Sequence, residues 1–93
     1  MNTESNDLAP LVGRKVVLDT AGTITFLGIL ERVCTDGFWL TEADIRDRTE
    51  GHVTKERYVC EARESGIKVN RRRLFVFSHV VISLSALDDV TLD

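Results

Sequence analysis

Cysteines, phosphate-loop glycines and long apolar runs are all scarce in this sequence, and each scarcity excludes something. Two cysteines among 93 residues, Cys34 and Cys60, allow one disulfide at most. No CxxC, HxxxH or HExxH spacing exists, so Cys34, Cys60, His52 and His79 match a zinc set in number only, and no metal site is expected. Without GxGxxG or GxxxxGKS/T there is no support for a nucleotide cradle, and no cofactor is expected. The longest uninterrupted apolar run, residues 74–77, is far short of the ~20 residues that a membrane span needs. The opening MNTESNDLAP lacks the basic and apolar regions of a secretory leader. These absences predict a soluble, cytoplasmic chain without a membrane partner.

What is present bounds the architecture. Ninety-three residues, 43% of them apolar, suffice for one small domain with one thin core. A chain this short buries only somewhat more than about 60% of its unfolded surface. Such a core is marginal alone, which makes self-association the natural stabiliser. The net charge of −3 is unevenly placed: residues 44–73 carry +3 and the remainder −6. An anionic chain with a mildly basic middle argues against non-specific coating of duplex DNA, which scales with the number of phosphates neutralised.

Residues 1–5 are expected to be disordered, 6–87 to form a single domain, and 88–93 to form an acidic tail carrying Asp88, Asp89 and Asp93. Asn6 or Asp7 can cap a short helical turn that tolerates Pro10 and ends at Gly13. "RKVVLDT" (14–20) is rich in β-branched residues and reads as a first strand. "TITFLGILERVC" (23–34) is a long second strand with Gly28 in the middle, where a sharp bend is expected. Ile24, Phe26 and Leu30 share a parity, so one inward row can run through the bend. "TDG" (35–37) signals a hairpin, and "FWLTEA" (38–43) returns with Phe38 and Leu40 alternating against Trp39 and Thr41.

From Asp44 the alternation collapses into charges, "DIRDRTEG", which predicts a loop or irregular extension opening a charged insert over 44–71. Within it Thr54 can cap a helix over 54–65, with Tyr58, Val59 and Ala62 at helical spacing, Glu56 in the first turn and Gly66 at the end. A strand is the alternative there, since Tyr58, Val59 and Cys60 also have β character. Residues 74–77 are apolar on both faces, so both faces of a fourth strand should be covered. Val80, Ile82 and Leu84 alternate with Val81, Ser83 and Ser85, which predicts a fifth strand with one apolar face after a two-residue turn at Ser78 and His79.

This order of elements resembles the Sm-like (LSm) family, in a divergent bacterial-type form, over residues 6–87. Gly28, Leu30 and Ala43 are similar to the first Sm motif, and "LFVFSHVVISLS" is similar to the second. The resemblance implies a mainly β, SH3-type fold: a strongly bent, five-stranded antiparallel open barrel with a short N-terminal helix and a helix between strands three and four. It also implies a homo-hexameric or homo-heptameric ring, closed by pairing strand four of one copy with strand five of the next. Sm proteins that bind uridine-rich RNA carry aspartate and asparagine around the second hairpin, and arginine and glycine at the last turn. This sequence instead has Cys34, Asp36 and Gly37 in the hairpin, which is one residue shorter, and Ser78 and His79 at the turn.

Two functional readings follow. In one, the ring binds single-stranded RNA with altered specificity. Arg71, Arg72, Arg73 and Lys68 would meet phosphates, Phe38, Trp39 or Tyr58 would stack on bases, Asp36 would substitute in part for the family's hairpin residues, and the Ser78 and His79 turn would line the central opening. In the other, the ring is a structural or protein-interaction module that has lost the uridine pocket, and the arginines are a solvated strand entrance. Neither reading is enzymatic. Adjacent Ser78 and His79 do not make a triad, because strand neighbours point to opposite faces and no carboxylate is fixed beside them.

Overall fold

The computed structural model describes residues 7–47, 49 and 54–91; the expectation for residues 1–5, together with His52 and Asp93, lies outside them. The alternating and β-branched segments form β1 (Lys15–Thr20), β2 (Ile24–Val33), β3 (Gly37–Asp47), β4 (Arg71–Phe77) and β5 (Val81–Ala86), with one helix, α1 (Lys55–Ser65), between β3 and β4. All pairings are antiparallel, in the order β4-β3-β2-β1-β5. The mainly β, bent open barrel with a helix in the insert is therefore observed, and β4 and β5 are its two edges.

A short 3-10 turn, Ala9–Leu11, precedes the sheet with Pro10 in its first positions, and Leu8 and Leu11 pack on the barrel interior. Gly13, at φ +88°, ends the turn and donates its N–H to the Leu30 carbonyl at 2.7 Å. The interior is filled by Val16, Leu18, Phe26, Leu30, Phe38, Leu40, Ala43 and Val76. Gly28 lets β2 approach β3 closely, since a Cβ there would lie 3.2 Å from the Cβ atoms of Leu40 and Ala43 and from the Thr41 carbonyl, and these would have to shift.

Opposite Gly28, β3 carries one extra residue: Leu27 pairs with Asp44 and Ile29 with Thr41, and Glu42 takes φ +48°. This bulge corrects the start of the expected loop or irregular extension, over 44–47. The strand does not end at Ala43 but continues to Asp47; the bulge shifts the parity by one, so that Ala43 and Ile45 rather than Glu42 and Asp44 face the barrel. A second correction concerns β5. Asp19 pairs with Ser83 and Thr20 with Val81, so Ile82 is the extra residue of a bulge and is 68% exposed. Val81 and Leu84 therefore face the core, in place of the expected row of Val80, Ile82 and Leu84.

α1 forms as its caps dictate. Thr54 Oγ1 accepts from the Arg57 N–H at 3.2 Å, Glu56 and Arg63 suit the first and last turns, and Gly66 at φ +97° donates its N–H to the Ala62 carbonyl. The helix lays Tyr58, Val59 and Ala62 on Val17 and Leu27, whose side chains point out of the barrel. Leu87, 1% exposed, closes this second core, and Val90 packs against it. Lys55 Nζ meets Asp19 Oδ1 at 2.7 Å and ties the start of α1 to β1.

Candidate nucleic-acid interface

The β2–β3 hairpin and the β4–β5 connection meet at one end of the barrel. Cys34 and Gly37 close the hairpin with backbone bonds, and the Ser78 N–H donates to the Asp36 carbonyl at 2.9 Å. Gly37 has to be glycine, since any Cβ would run into the Val76 carbonyl and the Phe75 ring. The expected two-residue turn is in fact a 3-10 turn, Ser78–Val80, that exposes Ser78 and His79. Asp36, Ser78 and His79 are thus brought together.

A band of rings leads away from that end. With Phe38, Leu40, Leu74 and Val76 facing the core, Trp39, Phe75 and Phe77 must face outward. The His79 and Phe77 ring centres are 5.9 Å apart, Phe77 and Phe75 5.1 Å, and Phe75 and Trp39 5.0 Å, the last two edge to face. Only part of the expected double cover of β4 exists within one copy, because Phe77 is 54% exposed. Beside His79 an open, mostly apolar cavity of about 430 Å³ is lined by Ile24, Phe26, Ile45, His79, Val80 and Ile82.

The band ends at Arg73. Its guanidinium lies 3.8 Å over the Trp39 ring and donates twice to Glu31, Nε to Oε1 and Nη2 to Oε2, each at 3.0 Å. Glu31 reaches it because β2 bulges there, with Leu30 paired to Leu40 and Arg32 to Trp39. The hydrogen bond from Arg73 holds the Glu31 carboxyl below its usual range, aided by the charges of Arg73 and Arg32. Arg73 is therefore a neutralised arginine that covers one face of Trp39.

The other expected contacts are scattered. Arg71 and Arg72 are exposed at the start of β4, Arg71 donating to the Asn70 carbonyl at 2.9 Å. Lys68 lies before β4 in a cavity beside α1. Phe38 offers no stacking face, being 9% exposed in the barrel core, since its parity is opposite to that of Trp39. Tyr58 is also withdrawn: it is 7% exposed, and its hydroxyl donates to buried Asp44 at 2.6 Å. Burial, followed by that hydrogen bond, pushes the phenol well above its ordinary range. Both cysteines are free, and among the described residues no three His, Cys, Asp or Glu side chains gather as a metal site. No described helix is long and apolar enough to cross a membrane.

Sequence reasoning missed Glu31 and Asp44. Both sit at or beside bulges, where alternation no longer tells which way a side chain points.

No family model and no curated protein sequence matches the chain. Solved structures do. The Sm protein of Pyrococcus abyssii in complex with a uridine heptamer superposes with a TM-score of 0.58 at 11% identity, over 87% of this chain and 93% of that one. A novel Sm-like archaeal protein from Pyrobaculum aerophilum gives 0.57 at 17% identity, over 88% of this chain and 49% of that one. The chain has the Sm fold. The hairpin of Asp36 and the turn of Ser78 and His79 carry no arginine or lysine.

Proposed function

We propose that copies of this chain pair β4 with β5 into a closed ring of six or seven, and that the ring binds single-stranded RNA at the end where Asp36 meets Ser78 and His79. The observation that carries the reading is the 2.9 Å bond joining those two loops, at the foot of an exposed ring of His79 and Phe77. Exposed rings stack on unpaired bases at about 1–3 kcal/mol each without demanding a sequence. The likeness to an Sm protein solved with a uridine heptamer supports RNA as the ligand. Assembly is supported by the two unpaired edges, which carry Phe77 at 54% and Ile82 at 68% exposure. A head-to-tail contact between unlike edges either closes into a ring or grows into a filament.

A second reading, a protein-interaction ring that binds no RNA, is favoured by one specific observation: Arg73 is neutralised by Glu31 and stacked on Trp39. Fluorescence anisotropy with labelled oligo-U, oligo-A and mixed RNA across a salt series separates the two. Salt-dependent binding that weakens in a His79→Ala variant supports the RNA ring. No binding at low ionic strength leaves the interaction module. A monomeric mass by light scattering at micromolar concentration would overturn both.

A further inference from the structure

The absence of phosphate-loop motifs left no expectation of a nucleotide, yet the insert builds a cavity of about 400 Å³ between α1, β3 and the segment after the helix. Its wall includes Arg46, Tyr58, Glu61, Ala62, Ile67 and Lys68. The volume lies in the ~300–1,000 Å³ range of small-molecule sites. We propose that this cavity binds a nucleoside 5′-phosphate, with Arg46 and Lys68 holding the phosphate, Ala62 and Ile67 flanking the base or sugar, and Glu61 accepting from ribose hydroxyls. The proposal does not depend on the ring or on RNA binding by the loops.

Three features support it. First, the charges are left over. Lys55, Arg57 and Arg73 each pair with a carboxylate, whereas among the described residues none lies within ion-pair distance of Arg46 or Lys68. Second, Arg46 is held in place: its guanidinium rests 4.7 Å over the Tyr58 ring, which the 2.6 Å bond to Asp44 fixes in turn. A cation held before the ligand arrives loses little freedom on binding. Third, the wall carries both kinds of polar group. Arg46 and Lys68 can take the anion, and Glu61, which Arg57 Nε meets at 3.4 Å, can accept hydroxyls. Acidic side chains bind ribose hydroxyls in the same way in dinucleotide sites.

A free mononucleotide and the 5′-phosphorylated end of an RNA strand carry the same chemistry. Calorimetry on the full chain, in a phosphate-free buffer at low salt, uses AMP and adenosine as probes, then oligo-A with and without a 5′-phosphate. AMP should bind at about 1 mM or tighter, and adenosine at least about tenfold more weakly. Lys68→Gln and Arg46→Gln should each weaken AMP about tenfold, and Arg72→Gln should not. Lys68 is exposed and outside both cores, so its variant tests the site without testing the fold. A 5′-phosphate preference in oligo-A that Lys68→Gln removes assigns the site to strand ends; AMP binding without that preference assigns it to free nucleotide. No AMP binding, equal binding of AMP and adenosine, or indifference to Lys68→Gln would overturn the proposal.

Discussion

One side of this sheet is covered and bare in different places, and the contrast separates what the chain completes for itself from what it leaves for a partner. Along β1, β2 and the far half of β3, the outward residues Val17, Leu27 and Asp44 lie under α1. Along the near half of β3 and β4, the outward Trp39, Phe75 and Phe77 meet one another, His79 and Arg73, with no helix over them. The first region has a hydrophobic seal and a buried hydrogen bond. The second has rings in partial contact with water, which is the condition of a surface that another molecule covers.

The comparison breaks most directly under the helix. Leu27 is fully buried beneath α1, and Leu27→Ala should cost about 2–5 kcal/mol in chemical denaturation, because it removes transfer energy and leaves a cavity. If α1 were loosely attached, the loss would be well under that, and the covered region would be no different from the bare one.

Next is the buried pair. Tyr58→Phe keeps the ring but leaves Asp44, 2% exposed, without the phenol, at a cost of about 1–3 kcal/mol. The same pair sets an alkaline limit. The phenol titrates higher in the folded chain than its ordinary 10.0, so its contribution is complete below about pH 10 and is lost as pH rises from there towards the folded value. Denaturation midpoints of the parent should therefore fall above pH 10, and those of Tyr58→Phe should fall less steeply. Parallel curves would show that the hydroxyl does not couple to folding.

The bare region should behave in the opposite way. Phe77→Ser and Ile82→Lys touch residues already half or more exposed, so folding of the single chain should move by no more than ~0.5 kcal/mol. Light-scattering mass should nevertheless drop, since both side chains lie on the edges proposed to pair. A mass unchanged by Ile82→Lys would remove β5 from the interface.

These contrasts also show why the sequence was legible in some places and not in others. The bend at Gly28, the cap at Thr54 and the glycine that ends α1 depend on local chemistry, and each was visible in the residues themselves. Strand alternation read correctly for Phe38 and Leu40 and failed at Glu42 and Ile82, where a single bulged residue reverses the pattern without changing composition. The same limit hid the candidate sites. Asp44 stood in a run that looked like a charged loop, and Glu31 joined Arg73 across 42 residues through a bulge that no spacing announces. Of arginines 71–73, alternation lets at most two share a surface; pairing with Thr41 beside Trp39 made one of them part of the ring band and left two in solvent.

Glu31 gives the finest probe of the bare region, because it decides whether Arg73 counts as a cation. Glu31→Gln keeps the shape of the side chain and removes the charge that draws the guanidinium across Trp39. If RNA lies along this band, freeing Arg73 adds one phosphate contact, and the slope of log affinity against log salt for oligo-U should steepen by about one. Trp39 fluorescence should change in the same variant before RNA is added, since the cation over its ring is released. A steeper slope places RNA on the outward rings of β3 and β4; an unchanged slope with altered fluorescence confines any RNA to the loop end at Asp36, Ser78 and His79. The fold should not distinguish these outcomes, because Glu31 and Arg73 are both exposed and their pair contributes specificity of surface rather than stability.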